Sequence, residues 1–303
     1  MAEPVGVVGA TSLVGRRLLP RLVQAGVPVH AYTRGAPPAD TPGIRWHRLG
    51  DEPAGGAAAP IARWVVLAPI GPLASRLPWL HAQGARRVVA LSSTSRFTKS
   101  GSPEPRERLV AESLARGERA LADWAAAHQV SWIVLRPTLI YGLDADANIS
   151  TIARFIRRFG FFPVLGAATG QRQPVHCDDV ADACVRALDA PVSNRAYELS
   201  GAEVLGYREM VERVFESMGR RPRVLRVPLP LFRAAIALAR LAPRLRSWSP
   251  AMAERMNVDM AFPHHEAARD LGFAPRAFVL GEADRPGATG LMAPPTALRR
   301  RSP

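Results

Sequence analysis

Lysine is nearly absent from this chain. Lys99 is the one lysine among 40 basic side chains, so the net charge of +14 is carried by arginines scattered along the sequence. The one dense basic run is at 299–301. A nucleic acid is therefore not the expected partner. Cysteine is scarce too: Cys177 and Cys184 stand seven apart with no second cluster to complete a ligand set. Free thiols and no metal site follow. Only four tyrosines occur, and none lies between residues 33 and 140. No run of eighteen apolar residues exists to span a bilayer. Met1-Ala2-Glu3-Pro4 leads directly into a strand-like segment, which predicts a cytoplasmic chain without a secretory leader. No internal repeat is visible.

What is present suffices for a substantial core. The chain has 303 residues, 48% of them hydrophobic, which fits one large domain or two fused units. Short β-branched runs at 5–8, 27–32, 63–68, 86–93 and 130–137 alternate with helical patterns, the clearest over 106–128. Near-continuous apolar strands are buried on both faces, as in a parallel sheet. The fold class predicted is α/β: a Rossmann-type, doubly wound parallel sheet over 1–145 with a smaller, mainly helical C-terminal lobe over 146–280. That lobe carries helical patterns at 149–159, 179–188, 207–218 and 231–241 and interleaves with the end of the sheet. Residues 281–303, rich in Pro, Gly, Ala and Arg, read as a loose tail.

The segment VVGATSLVG, residues 7–15, follows the first strand and opens a helix near Leu13. In that context its glycines carry meaning. Gly9 permits a tight turn, and Gly15 permits close helix–sheet packing. A small residue at Ser12 lets backbone approach a pyrophosphate at the helix N-terminus. The Ser12 hydroxyl is a further donor to phosphate. A plain strand–turn–helix without ligand is the alternative reading.

VVGATSLVGRRLL resembles the N-terminus of the extended and atypical short-chain dehydrogenase/reductases, near the NAD-dependent epimerase/dehydratase group, whose usual form is G-A-T-G-x-x-G. The resemblance continues in VVALSSTS at 88–95, LRPTLIYG at 135–142, RQPVHCDDVADACVRAL at 172–188 and LGFAPRAF at 271–278. It implies a dinucleotide held by Gly9, Thr11, Ser12, Leu13, Val14 and Gly15, with Ala68, Ser92 and Pro137 along it. It also places Asp51 at the acidic position that contacts adenine. Strand two ends in Thr33-Arg34 where an acid would bind the ribose 2′-hydroxyl. An arginine pairs with a 2′-phosphate, so NADP(H) is expected in preference to NAD(H).

The family chemistry uses a Tyr-x-x-x-Lys dyad with a Ser or Thr from strand five. Thr94 fills the strand-five position, with Ser92, Ser93 and Ser95 beside it. Aligning the helix through Glu118 puts Val110 at the tyrosine position and Leu114 at the lysine position, and neither moves a proton. Lys99, in the loop after strand five, and Tyr141, after strand six, are the substitutes available at the ligand-binding edge. Lys99 suits an oxyanion stabiliser and Tyr141 a proton donor. In the C-terminal lobe Asn148 and Arg172 are candidate contacts to a substrate diphosphate. In His176-Cys177-Asp178-Asp179 strand alternation splits the side chains, and Asp178 or Asp179 reads as a helix cap rather than a metal ligand. The basic amphipathic stretch 229–248 reads as a lobe helix, with a peripheral membrane face as the lesser alternative.

The resemblance implies an NAD(P)-dependent oxidoreductase or epimerase acting on a nucleotide-sugar or similar carbonyl or hydroxyl compound, as a monomer or homodimer. The competing expectation, favoured by the missing dyad, is a cofactor-binding sensor or scaffold without turnover.

Overall fold

The structure, a computed structural model, describes residues 2–50, 59–228 and 256–287. Its centre is a seven-stranded sheet built from β1 (Val5–Val8), β2 (Val29–Thr33), β3 (Ile44–Arg48), β4 (Arg63–Val66), β5 (Arg87–Leu91), β6 (Ser131–Pro137) and β11 (Arg195–Leu199). The order is β11-β6-β5-β4-β1-β2-β3 and every pairing is parallel. The four residues of β1 are all buried, as a central strand covered on both faces requires.

Two apolar layers enclose the sheet. One combines Leu18, Leu19 and Leu22 of α1 (Gly15–Gln24), Val180 and Cys184 of α6 (Cys177–Asp189) and Leu271 of α8 (His265–Leu271). The other combines Leu73 of a 3₁₀ turn (Gly71–Arg76), Leu77 and Leu80 of α2 (Leu77–Ala82) and Leu121 of α4 (Pro105–His128). Helix α4 starts with proline at its first position, where the missing N–H costs nothing, and ends at Gln129 in the left-handed region, φ +54°. A short helix α3 (Ser95–Thr98) precedes it. Arginines lock the first layer together: Arg17 and Arg21 of α1 pair with Asp178 of α6, both at 3.0 Å.

A separate cluster holds the C-terminal lobe. Ile149, Ile152 and Ile156 of α5 (Ile149–Phe159) pack with Met210, Val214 and Phe215 of α7 (Tyr207–Ser217). Three separate two-stranded ladders follow the sheet: β7 (Ile140–Tyr141) with β10 (Val175–His176), β8 (Phe162–Leu165) with β13 (Val224–Val227), and β9 (Gln171–Arg172) with β12 (Leu205–Gly206).

Two strands of the main sheet, β3 and β11, go beyond the runs legible by apolar periodicity. They are its edges. IRWHR and RAYEL carry charges because one side of an edge strand meets water. The cap of α6 differs from expectation as well. The His176 imidazole, not an aspartate, accepts the Asp178 N–H at 3.1 Å through Nδ1. Both cysteines are buried free thiols, and burial pushes each thiol up to about 12. Among the described residues no helix is long and apolar enough to cross a membrane. Asp51, the stretch 229–248 and the end of the chain from 288 lie outside the described residues.

Candidate active site

Strand β1 neighbours β2 on one side and β4 on the other, so the sheet reverses its winding at the carboxyl end of β1. This is the crevice where doubly wound sheets bind ligands, and the 9–15 loop occupies it. Gly9 has φ +80°, and a Cβ there would stand 2.8 Å from the Ala68 backbone nitrogen. A Cβ at Gly15 would stand 2.2 Å from the Ala10 carbonyl oxygen. Both glycines are thus demanded by the protein's own packing. Position 12 carries a serine, whose side chain finds a partner in the loop itself.

Ser12 is a working cap. Its carbonyl accepts the Arg16 N–H at 3.0 Å and its Oγ accepts the Gly15 N–H at 3.1 Å. The hydroxyl proton stays available to an anion. The N–H groups of Thr11, Leu13 and Val14 donate to no acceptor among the described residues. Three open donors at a helix start are an anion cradle, so the loop fits the pyrophosphate of a dinucleotide. Arg34, exposed at the end of β2, has no ion-pair partner among the described residues, while Thr33 folds back to accept the Gly35 N–H at 3.3 Å.

Strand β5 delivers residues 92–94 to the same edge. Ser92 is committed to structure: its hydroxyl donates to Glu118 Oε1 at 2.5 Å. Glu118 is 6% exposed, and it also receives Arg136 Nη2 at 2.6 Å and Arg96. Burial alone would raise the Glu118 carboxyl, but hydrogen bonds from Arg136 and Ser92 and the two guanidinium charges hold it below its ordinary value. This network ties α4 to the end of β5 and to β6 through Glu118. Val110 is 43% exposed. Thr94 is buried, with its hydroxyl 3.3 Å from the Pro137 carbonyl, which also accepts the Thr94 N–H at 3.1 Å.

Thr94 opens onto a cavity of about 750 Å³ between the sheet edge and the C-terminal lobe. Lys99, Asn148 and Arg172 line it with Thr94, so four of the residues singled out in the sequence converge there. The Lys99 ammonium has no carboxylate partner among the described residues. Asn148 sits at the start of α5 but does not cap it. Asp146 does, accepting the Asn148 and Ser150 N–H groups at 2.9 and 3.1 Å, which leaves the Asn148 amide to the cavity. Arg172 is buried, donates to the Gln171 and Val258 carbonyls at 2.6 and 2.8 Å, and lies over the Tyr207 ring at 5.4 Å.

Tyr141 does not join them. It is fully buried, edge-on to His176 and Phe278, and its hydroxyl donates to the Val279 carbonyl at 3.4 Å. Burial drives its phenol far above the ordinary value. The expectation of a proton donor at Tyr141 is corrected by this placement. The phenol in the cavity wall is Tyr207, with Thr138 and Gln173 nearby. Sequence reading passed over all three, because a tyrosine starting an amphipathic helix carries no sign of facing a cavity.

A family model described as "NAD dependent epimerase/dehydratase family" matches residues 76–200. That stretch, about two fifths of the chain, is similar to the family. The chain is 32% identical over 106 residues to "NADH dehydrogenase [ubiquinone] 1 alpha subcomplex subunit 9, mitochondrial" of Arabidopsis thaliana, covering 34% of this chain and 26% of that protein. It is 28% identical over 264 residues to "Ceramide reductase" of Caulobacter vibrioides, covering 77% and 76%. The chain thus spans about a quarter of the plant relative's length. Among solved structures, UDP-glucuronic acid 4-epimerase from Bacillus cereus in complex with NAD superposes with a TM-score of 0.68 at 12% identity, covering 91% of this chain and 94% of that one. That likeness shows the fold, a Rossmann-type α/β architecture.

Proposed function

We propose that this chain is an NAD(P)H-dependent oxidoreductase that reduces a carbonyl compound held in the cavity beside Thr94. The observation that carries this is one of placement. A phosphate cradle with three open N–H donors and a cavity bearing a buried threonine and a lysine stand at the same edge of one parallel sheet. The reductase named in the Caulobacter relative and the NAD in the epimerase structure support the same reading.

The cofactor supplies a hydride when bound. The rest belongs to the chain. Thr11, Leu13 and Val14 hold the pyrophosphate with the Ser12 hydroxyl, and Arg34 meets a 2′-phosphate, which favours NADP(H). Thr94 orients the substrate oxygen, its hydroxyl turning from the Pro137 carbonyl to do so. Reduction of the carbonyl would put negative charge on its oxygen. The Lys99 ammonium stabilises it, and water supplies the proton that completes the alcohol.

Thr94→Val keeps shape and removes the hydroxyl. Consumption of NADPH with a panel of carbonyl compounds should fall strongly in this variant while NADPH affinity holds. Equal turnover would overturn the role of Thr94. A second reading has its own observation: Val110, Leu114 and buried Tyr141 leave no tyrosine–lysine dyad. Tight NADPH binding with no turnover on any carbonyl would make the chain a cofactor-dependent scaffold or sensor.

A further inference from the structure

The cavity has two walls of different chemistry. The segment leaving β5 contributes only polar residues: Ser93, Thr94, Ser95, Thr98 and Lys99. Every lining residue contributed by 152–165, and those at 210, 256 and 260, is apolar. Asn148, Arg172, Gln173 and Tyr207 also line the cavity. Among the described lining residues there is no carboxylate, while two cations are present.

The apolar wall has little to offer a nucleobase. Its side chains offer no donor and only weak thioether acceptors, and the N–H groups of its strand are taken. The Phe162 N–H donates to the Arg223 carbonyl at 3.0 Å, Pro163 has no N–H, and the Leu165 N–H points to the Met256 sulfur at 3.4 Å. A base or sugar edge buried there would lose its water without replacement. Three of the chain's seven methionines, Met210, Met256 and Met260, line this cavity. Unbranched, polarisable side chains of this kind adapt to a flexible apolar partner better than to a rigid planar one. The volume of about 750 Å³ lies within the ordinary range of small-molecule sites, roughly 300–1,000 Å³, so size does not choose between the two.

We propose that the substrate is a long-chain acyl compound, its hydrocarbon along the apolar wall and its oxygenated head at Thr94 and Lys99. This rests on the oxidoreductase reading above and replaces the nucleotide sugar with a lipid as the substrate class. The absence of acidic lining residues suits a neutral or anionic head and disfavours a cationic one.

The test uses the full chain without cofactor and the fluorescent fatty acid cis-parinaric acid. One molecule should bind per chain, palmitate should displace it, and UDP-glucose should not. Met210→Glu places a charge in the wall and should weaken parinarate at least tenfold while NADPH affinity stays within a few-fold. Where Met210→Glu loses its cooperative melt, Phe155→Gln replaces it with the same expectation. Displacement by UDP-glucose, or equal parinarate affinity in wild type and variant, overturns the proposal, the latter by showing surface adsorption on a basic protein. Loss of NADPH binding with parinarate retained would instead overturn the oxidoreductase reading alone.

Discussion

At the scale of single residues the 9–15 turn sets a serine between two glycines that its own packing demands. A Cβ at Gly9 or Gly15 would come within 3 Å of backbone atoms, whereas the Ser12 side chain accepts the Gly15 N–H. Arg34 is exposed, so its substitution isolates cofactor choice from stability. One charge-assisted pair is worth roughly 1.5–3 kcal/mol, or about one to two decades of affinity. Arg34→Asp should therefore shift the NADPH:NADH affinity ratio toward NADH by that factor in calorimetry, with an unchanged melting temperature. An unchanged ratio would show that Arg34 does not meet the phosphate. Lys99 is the one lysine and faces the cavity. Removing a donor that stabilises a developing oxyanion costs about 10²–10³ in rate. Lys99→Met should lower turnover by that order and leave the NADPH dissociation constant within a few-fold. Full activity on a confirmed substrate would exclude the role.

At the scale of elements the decisive piece is α4, which Glu118 ties to the end of β5 and to β6. Glu118→Gln leaves Arg136 and Arg96 facing a neutral amide. Breaking a buried pair by removing one partner costs roughly 3–5 kcal/mol. Arg136 keeps Glu198 at 3.0 Å, so the lower end of that range is expected in denaturant melts. A loss under about 1 kcal/mol, the scale of a surface pair, would show the network to be marginal. The central strands, α4 and the cofactor loop were legible because each has a local cause: continuous apolar runs, an amphipathic period, or a glycine after a strand. The edge strands β3 and β11 were not, because solvent on one side lets charge into their sequences. Of the residues singled out in the sequence, Thr94, Lys99, Asn148 and Arg172 line one cavity. Tyr141 misled because position after a strand does not fix which way a side chain points. Tyr207 and the methionine wall were hidden because their role is tertiary.

At the scale of the whole molecule, the sheet joins two sites that sequence keeps far apart: the cradle at 9–15 and the cavity whose lining extends to Met260. Stability should depend on acid in a definite direction. For both Glu118 and Asp284 burial acts upward on the carboxyl. For Glu118 the Arg136 and Ser92 hydrogen bonds outweigh it, and for Asp284 those from His176 and the Leu143 N–H, so both folded-state values lie below the unfolded ones. Their contribution is complete above the ordinary carboxylate values of 4.5 and 3.8 and is lost as pH falls through the depressed ones. The melting temperature should fall on acidification below that range, and less steeply in Glu118→Gln; parallel acid limbs would contradict this. NADPH at about 100 times its dissociation constant should stabilise the fold by about 2.7 kcal/mol. The central claim is that hydride reaches a carbonyl in the Thr94 cavity without the tyrosine–lysine dyad. The direct measurement is incubation of the chain with NADPH deuterated at nicotinamide C4 and a long-chain ketone, followed by mass spectrometry of the alcohol. Deuterium on the carbinol carbon, reduced in Thr94→Val, is the predicted result; tight NADPH binding with no labelled alcohol from wild type would contradict it.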